Sequence, residues 1–282
     1  MPTTRSHDLV LFGATGFTGG MTARYLAGNA PAGLRWALAG RDHAKLVRRR
    51  AELTEVDPAC ADLPLLLADA SDAESLRAVA EDTRVVITTV GPYLRYGEPL
   101  VAACSEAGTD YVDLTGEPPF VDRMYVGYHQ RAMDTGARLV HSCGFESVPL
   151  DLGVLHTVRQ LPEDVPIHIE GYVTADTGLS GGSIQTTLTA MTRPLEIARA
   201  ERARREVERL PADRAVVSAV GSPIRVPALD SWAMPMPTIS RFTVGRSAWA
   251  LPRYGPDFHY EHRFLKHPLV AVGGAVGLLA LS

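Results

Sequence analysis

The chain has 282 residues, of which 46% are hydrophobic and 21% are charged, and its formal net charge is -4. This composition is typical of a globular protein with one large or two ordinary domains, and it lacks the basic excess of nucleic-acid-binding proteins. The cysteines Cys60, Cys104 and Cys143 are odd in number and widely spaced, which argues against a disulfide framework or a zinc site. We therefore expect no nucleic-acid partner, no metal and a reducing, cytoplasmic environment.

Short apolar segments alternate with charged, amphipathic segments through the first half of the chain. The charged segments Asp42–Glu55 and Asp72–Glu81 are predicted helices that begin on aspartates, which can cap free backbone N–H groups. This alternation predicts an α/β fold with a Rossmann-type doubly wound parallel sheet, whose ligand binds at the carboxyl ends of the strands. The predicted strands are Asp8–Phe12, Arg35–Ala39, Leu63–Ala68, Arg84–Val90, Asp110–Leu114 and Arg138–Ser142.

A glycine-rich loop, GATGFTG, follows the first predicted strand directly and opens a helix. Glycine allows the backbone to approach a pyrophosphate closely, and the free N–H groups at a helix start favour its negative charge. A tight turn without a ligand is the alternative, but the position between strand and helix favours a dinucleotide site. The predicted cofactor-binding residues of this loop are Gly13, Thr15, Gly16, Phe17, Thr18 and Gly19.

The end of the second predicted strand carries Gly40 and Arg41, where an NAD site normally has an acidic residue. A guanidinium at this position can pair with a 2′-phosphate, so we predict NADP(H) as the cofactor. Asp42 could restore NAD binding, although its position suggests a helix N-cap. Asp69, after the third strand, is predicted either to contact the adenine or to cap the next helix.

The loops after the fourth, fifth and sixth strands supply the candidate catalytic groups. Gly91 and Pro92 are predicted to lie near the nicotinamide half of the cofactor. Tyr93, Tyr96 and Ser147 are the predicted catalytic residues, each with an alternative: the tyrosines could simply pack, and Ser147 could cap a helix. Further candidate donors and acids from the same loops are Arg95, Glu117, Cys143 and Glu146, of which the two glutamates could instead form ion pairs. His141 is predicted on the opposite strand face, so nucleophilic chemistry at Cys143 is disfavoured.

Beyond Pro149 the pattern changes to longer elements, so we predict two domains, an NADP-binding domain over 1–150 and a mixed α/β substrate domain over 151–282. The predicted elements are strands at Ile167–Ala175 and Ile239–Val244, a polar helix from about Ser183 to Leu210, and a proline-rich stretch without regular structure at Gly221–Pro237. The uncharged segment Pro268–Ser282 is shorter than the roughly 20 residues that a membrane-spanning helix needs. We expect it to be buried or interfacial, and peripheral membrane contact is left open. The second domain looks incomplete at its C-terminal end.

Six segments of the chain form a recognisable set: GATGFTG from Gly13, AGR ending at Arg41, TTVGPYLRYGEPLVAAC from Thr88, GTDYVDLTGE from Gly108, CGFESVPLDLG from Cys143 and SGGS from Ser180. Taken together, they resemble the saccharopine dehydrogenase-like oxidoreductases, and most closely their trans-acting enoyl reductase branch. The resemblance covers nearly the whole chain and implies an NADP-binding domain, a second mixed α/β domain, and reduction of a carbon–carbon double bond in a lipid or polyketide intermediate. It implies no mapped catalytic residue.

Enoyl reduction requires a hydride at the β-carbon, a hydrogen-bond donor to the developing enolate oxygen, and a proton for the α-carbon. Tyr93, Tyr96 or Ser147 could be the donor, and the segment Trp232–Pro237 with Trp249 offers apolar surface for an acyl chain or ordinary packing.

Two other functions are consistent with the sequence. Saccharopine-type imine reduction would need convergent arginines, for which Arg193, Arg225, Arg241 and Arg246 are candidates. The other is a non-catalytic NADPH-binding protein or fragment. A homodimer is compatible with the sequence, but no motif decides the oligomeric state.

Overall fold

The computed structural model describes residues 5–174, 194–219, 221–235 and 238–266. The chain divides into two compact units. The first consists of Met1–Gly144 with Leu188–Val207, and the second consists of Phe145–Thr187 with Glu208–Ser282. These units differ from the predicted domains in two places, because residues 145–150 belong to the second unit and a helix from the second half of the sequence belongs to the first.

The first unit contains a six-stranded sheet in which all pairings are parallel and the strand order is β3-β2-β1-β4-β5-β6. The order reverses between β1 and β4, which creates the crevice where a doubly wound sheet binds its ligand. The strands are β1 (His7–Phe12), β2 (Trp36–Gly40), β3 (Leu65–Leu67), β4 (Thr83–Thr88), β5 (Asp110–Asp113) and β6 (Leu139–Val140). The helices are α1 (Phe17–Asn29), α2 (His43–Thr54), α3 (Ala73–Glu81), α4 (Tyr93–Tyr96), α5 (Glu98–Ala107) and α6 (Pro118–Thr135).

The helix boundaries in this unit follow from capping residues. The Asp42 carboxylate accepts a hydrogen bond from the Lys45 backbone N–H at 3.0 Å and begins α2, and Asp72 caps α3 in the same way. Both predicted N-caps are thereby confirmed. Helices α5 and α6 end at Gly108 and Gly136, whose φ angles of 67° and 80° lie in the left-handed region that glycine adopts without strain.

The second unit is built on a mixed sheet. Its long strand β11 pairs in parallel with β7 and β8 and antiparallel with β10, which pairs antiparallel with β9. The predicted fold class, a Rossmann-type sheet followed by a mixed α/β unit, is confirmed. The elements are α7 (Val148–Val158), β7 (Ile167–Val173), β8 (Ala215–Ala219), β9 (Ile224–Val226), β10 (Ser231–Pro235), α9 (Ser240–Ala250) and β11 (Asp257–Lys266), while α8 (Pro194–Val207) belongs to the first unit.

Two predictions for the second half of the chain are wrong. Ile239–Val244 is not a strand, because Ser240, Val244 and Ala248 are buried at a spacing of four residues and therefore form one face of helix α9. Gly221–Pro237 is not free of regular structure, since it contains β9 and β10. Its described prolines, Pro223, Pro227 and Pro235, lie at or next to strand ends, where a missing N–H costs little.

Helix α8 is the described part of the long polar helix predicted from about Ser183 to Leu210. Arg204 on α8 forms an ion pair of 2.6 Å with Asp122 on α6, and both side chains are largely buried. Because a buried charge is costly without a partner, this pair fixes α8 on α6 in the first unit. The first residues of the predicted helix, the motif Ser180–Ser183, Arg193 and the apolar segment Pro268–Ser282 lie outside the described residues.

None of the helices in the described part of the chain is long and apolar enough to cross a membrane.

The second unit contains a buried histidine, His262 on β11. Its ring is 1% exposed, stacks on Tyr260 with 5.5 Å between ring centroids, and places Nε2 at 3.0 Å from the Thr238 hydroxyl oxygen. Burial lowers the pKa of His262 to about 4, and the positive charge of Arg241 contributes. The folded protein therefore holds this imidazole in its neutral form.

Because the unfolded chain protonates His262 near pH 6.5 and the folded chain only near pH 4, acidification through this window favours unfolding. We expect the contribution to be fully present above pH 6.5 and to fall by up to about 3 kcal/mol by pH 4. Urea unfolding of the wild type and His262→Gln between pH 4 and pH 7 measures it, with the exposed His156→Gln as the control. An unchanged pH slope in His262→Gln would contradict the assignment.

Candidate functional site

The glycine loop joins β1 to α1 at the carboxyl edge of the first sheet. Gly13 has a φ angle of 89° and donates its N–H to the Ala39 carbonyl oxygen at 3.0 Å, which holds the loop against the end of β2. Gly16 is the N-cap of α1, and no side chain caps this helix within the described residues. The first N–H groups of α1 are therefore available to an anion, as at other helix N-termini.

The three glycines of the loop differ in how much space the fold leaves for a Cβ atom. A Cβ on Gly13 would lie 2.7 Å from Val90 Cγ2, and a Cβ on Gly19 would lie 2.1 Å from the Gly13 carbonyl oxygen. A Cβ on Gly16 would meet only that oxygen, at 3.4 Å, which is ordinary van der Waals contact. The fold therefore requires glycine at 13 and 19, whereas glycine at 16 leaves room for a ligand to approach the backbone.

Phe17, Thr15 and Thr18 complete the predicted cofactor-binding set in this loop. The Phe17 side chain is 77% exposed at the first turn of α1. Thr15 and Thr18 are partly buried, and the Thr18 carbonyl oxygen accepts the Thr22 hydroxyl at 3.0 Å within the helix. Gly16 and Phe17 are exposed, so the start of α1 is accessible.

Arg41 follows β2 and is exposed, and it makes no hydrogen bond or ion pair within the part of the chain that the structure describes. The neighbouring Asp42 is occupied as the N-cap of α2. The cationic group that the sequence predicts as the 2′-phosphate ligand is thus free at the edge of the adenosine side of the sheet. The position that would bind ribose hydroxyls in an NAD site has no unoccupied carboxylate.

Asp69 does not cap helix α3, because Asp72 has that role. Its carboxylate instead accepts hydrogen bonds from the Ser71 backbone N–H at 2.8 Å and the Ser71 hydroxyl at 2.7 Å. These two bonds are the main reason that the pKa of Asp69 is lowered, and the positive charge of Arg41 adds to them. Asp69 is therefore an ionised group close to Arg41, and its predicted contact with the adenine stays a prediction.

The sequence did not single out Arg49 on α2, which supports the glycine loop. Its Nε donates to the Ala14 carbonyl oxygen at 3.2 Å, and a Cβ on Gly20 would lie 2.6 Å from its guanidinium. Gly20 thus leaves space for Arg49 to lie against the first turns of α1. No local motif could have indicated this contact, since the two residues belong to different helices.

Gly91 and Pro92 are exposed after β4, at the other side of the crevice. Tyr93 is only 5% exposed, and its hydroxyl donates to the Thr88 carbonyl oxygen at 3.1 Å. Burial raises the pKa of Tyr93, and the negative charge of Asp113 raises it further. The catalytic role predicted for Tyr93 does not fit this geometry, because its hydroxyl points into the sheet; the packing alternative describes it better.

Tyr96, at the end of α4, is half-buried, and its hydroxyl makes no hydrogen bond among the described residues. The guanidinium of Arg95 lies over its ring, 4.9 Å from the ring centroid. Of the two predicted catalytic tyrosines, Tyr96 is therefore the one whose hydroxyl is available to a ligand.

Asp113 and His141 form a pair at the ends of β5 and β6 that the sequence did not predict. Asp113 is 1% exposed, and its Oδ2 lies 2.7 Å from His141 Nδ1. Cys143 contacts the carbonyl oxygens of Val140 and His141 through its sulfur, and burial raises the pKa of its thiol to about 11. His141 is paired with Asp113 and not with Cys143, and the protonated thiol is a poor nucleophile.

Ser147 belongs to the second unit, at the start of α7. It is 2% exposed, and its side chain does not cap that helix, so the capping alternative does not apply. Glu146 is half-buried, with no ion-pair partner among the described residues, and burial raises its pKa. Ser240 on α9 donates to the Glu146 carbonyl oxygen, which fixes the loop that carries both residues.

Arg225 pairs with Asp230 at 3.5 Å, Arg246 pairs with Glu208, and the Arg241 guanidinium lies 4.1 Å from the Phe242 ring centroid.

Comparison with known families identifies the first unit. Residues 9–140 match the model of the saccharopine dehydrogenase NADP binding domain. These residues are a saccharopine dehydrogenase NADP-binding domain. The match extends from β1 to the end of β6 and so includes the glycine loop, Arg41 and the loops after β4 and β5, which confirms the resemblance and the NADP(H) prediction.

Relatives of this NADP-binding domain protein include two named trans-acting enoyl reductase. One, from Mycobacterium bovis, is 46% identical over 200 residues, which are 67% of this chain and 46% of the relative. Another, from Mycobacterium ulcerans, is 45% identical over 197 residues, 66% of this chain and 45% of the relative. The chain spans less than half the length of these curated relatives.

Among solved structures, the apo saccharopine dehydrogenase (L-Glu forming) of Saccharomyces cerevisiae is 19% identical, with a TM-score of 0.43 over 54% of this chain and 30% of that chain.

The residues of the NADP-binding domain fit the cofactor on structural grounds. The uncapped start of α1 suits the pyrophosphate, the space at Gly16 suits its close approach, and the free guanidinium of Arg41 suits a 2′-phosphate.

Proposed function

We propose that the protein is an NADPH-dependent enoyl reductase that saturates a carbon–carbon double bond in an acyl chain of a lipid or polyketide intermediate. The observation that carries this proposal is the 46% identity, over two thirds of the chain, to a relative named trans-acting enoyl reductase. The geometry of the NADP-binding domain supports it, because the binding groups for a dinucleotide and an unengaged hydroxyl donor occur on one sheet edge.

The cofactor half of the site is proposed at the carboxyl edge of β1 to β4. The N–H groups that follow Gly16 bind the pyrophosphate, and Arg41 binds the 2′-phosphate. Asp69 lies on the adenine side, and Gly91 with Pro92 lies on the nicotinamide side. NADPH, when bound, supplies the hydride.

The chain itself supplies a hydrogen-bond donor for the oxygen that becomes negative during the reaction. We propose Tyr96 for this role, because its hydroxyl is unengaged, and because the Arg95 guanidinium beside its ring favours negative charge at that position. Ser147 is the second proposed donor. Its side chain does not cap α7.

We further propose that the second unit binds the acyl substrate. A homodimer and peripheral membrane contact through Pro268–Ser282 are proposals as well. Analytical ultracentrifugation of the chain and flotation with anionic vesicles test these two proposals.

Removing the Tyr96 hydroxyl in Tyr96→Phe is expected to lower kcat for an α,β-unsaturated acyl thioester by about tenfold to a hundredfold, since one donor to a developing oxyanion is lost. NADPH oxidation at 340 nm with enoyl thioesters of increasing chain length measures this effect. The matched control is Tyr93→Phe, which loses the bond to Thr88 and is expected to cost about 1 kcal/mol of stability with kcat unchanged.

Steady turnover that depends on a double bond and a thioester supports the proposed function. Turnover of imines but not of enoyl thioesters would overturn it, and so would NADPH binding without oxidation in the presence of every enoyl thioester tested.

A further inference from the structure

A continuous chain of hydrogen bonds joins the loops that follow β4, β5 and β6 in the NADP-binding domain. It begins at His141, whose Nδ1 lies 2.7 Å from Asp113 Oδ2. The other carboxylate oxygen, Oδ1, accepts the Thr115 backbone N–H at 3.0 Å and the Ser142 backbone N–H at 2.8 Å. Asp113 thus holds the first residues of the loops after both β5 and β6.

The chain of hydrogen bonds continues from the loop after β5 to the loop after β4. The Thr115 hydroxyl oxygen accepts the Glu117 backbone N–H at 3.1 Å. The Glu117 carboxylate then accepts the backbone N–H groups of Tyr93 and Leu94, each at 2.9 Å. Glu117 therefore fixes the first turn of α4, directly after Gly91 and Pro92.

Every acceptor side chain of this chain of bonds is buried. Asp113 and Thr115 are each 1% exposed, and Glu117 is 6% exposed. A buried carboxylate that loses a donor keeps its desolvation cost, so the backbone around it must shift to find another partner. A change at one end of such a chain is therefore expected to move the loops along it.

The location of these hydrogen bonds indicates which part of the cofactor site they can position. In a doubly wound sheet of this strand order, β1 to β3 form the half that binds the adenosine side of a dinucleotide, and β4 to β6 form the other half. All the hydrogen bonds lie in the second half, and none involves the glycine loop or Arg41. A displacement along them is therefore expected to act mainly on the nicotinamide side.

We propose that Asp113 and His141 are positioning residues that hold the nicotinamide side of the NADPH site in its binding geometry through Thr115 and Glu117. A carboxylate only accepts hydrogen bonds, so the His141 Nδ1–H group is the donor to Asp113 Oδ2. The imidazole is itself held by ring contacts, with its centroid 5.4 Å from that of Phe120 and 5.5 Å from that of Tyr111.

The inference rests on the cofactor part of the proposed function and not on the enoyl substrate. The test therefore uses binding alone, measured by calorimetry with two probes, NADPH and adenosine 2′,5′-bisphosphate. The second probe carries the adenosine and 2′-phosphate groups but no nicotinamide. A general loss of structure weakens both probes, whereas a displaced nicotinamide loop weakens only NADPH.

His141→Phe keeps an aromatic ring between Phe120 and Tyr111 but removes the donor to Asp113. We expect its affinity for NADPH to fall about tenfold, while its affinity for adenosine 2′,5′-bisphosphate stays within about twofold of the wild type. His141→Asn places an amide N–H at the position of Nδ1, and it is expected to recover most of the NADPH affinity.

Glu117→Gln provides a second route to the same result if His141→Phe does not fold. A glutamine amide has one acceptor oxygen, so it cannot replace both carboxylate oxygens that accept the backbone N–H groups of Tyr93 and Leu94. The same selective loss of NADPH affinity is therefore expected. The matched control is Asp110→Asn. It breaks the Asp110 ion pair with Arg138, which joins β5 and β6 at their opposite, amino end. Asp110→Asn is expected to leave both affinities unchanged.

Equal weakening of both probes in His141→Phe and Glu117→Gln would overturn the proposal, as would unchanged NADPH affinity in either variant. If the wild type reduced no enoyl thioester but His141→Phe and Glu117→Gln still lost NADPH affinity selectively, the proposed function would be contradicted and the positioning role would be supported.

Discussion

Gly16→Ala is expected to weaken NADPH binding by about tenfold to a hundredfold while the stability of the protein stays within about 1 kcal/mol of the wild type, the cost of alanine at an N-cap. The reason is that the Cβ fits the fold, with its nearest atom at 3.4 Å, but occupies the space through which the pyrophosphate reaches the N–H groups of α1. In most glycine loops a loss of binding cannot be separated from a loss of folding. Here we expect Gly16 to affect binding and Gly19 to affect folding.

Gly19→Ala is the matched comparison at the same loop. Its Cβ would lie 2.1 Å from the Gly13 carbonyl oxygen, which is backbone and cannot move aside cheaply. We expect about 3 kcal/mol of destabilisation or more, and loss of binding as a consequence. Thermal unfolding measures the loss of stability in both variants, and NADPH titration measures the loss of affinity. If Gly16→Ala bound NADPH as tightly as the wild type, the pyrophosphate would not lie at this helix start.

Arg41→Ala is expected to reduce NADPH affinity by about tenfold to a hundredfold and to leave NADH affinity within about twofold of the wild type. Arg41 is exposed and makes no hydrogen bond or ion pair within the described residues, so the substitution removes no such contact from the fold. The size of the effect follows from losing a charge-assisted pair with the 2′-phosphate, which NADH lacks.

Fluorescence titration of both nucleotides at fixed ionic strength measures this selectivity. Arg84→Ala is the control, because it removes the same charge from the start of β4, at the amino edge of the same sheet. A parallel loss of NADPH affinity in both variants would indicate general electrostatic attraction and contradict a specific 2′-phosphate contact. Equal losses of affinity for NADPH and NADH in Arg41→Ala would also contradict a specific 2′-phosphate contact.

The first unit could be predicted closely because its signals are local. The apolar runs of β1 to β6 are strands of the parallel sheet, and Asp42 and Asp72 cap helices that begin one residue later. Each of these features depends on neighbours within a few residues, so periodicity and capping chemistry are sufficient to find it. The second half has weaker local signals. The run from Ile239 to Val244 contains β-branched residues and was predicted as a strand, but burial at every fourth residue makes it the start of α9.

The candidate site was predictable only in part, for the same reason. Gly16 and Arg41 are marked by their position after a strand, which a single sequence displays. The sequence also places Tyr93 and Tyr96 in one loop as equal candidates. Only their surroundings distinguish them, since the Tyr93 hydroxyl is bonded to Thr88 and the Tyr96 hydroxyl is free among the described residues.

The sequence by itself therefore determined the parallel fold, the glycine loop and the preference for NADP, because strand periodicity, helix caps and a cation at the end of β2 are properties of contiguous residues. The tertiary structure alone decided that Arg204 on α8 pairs with Asp122, and that His141 meets Asp113. The partners in these pairs are far apart in the sequence. They meet because a buried charge must find its counter-group wherever the packed strands and helices bring one within reach.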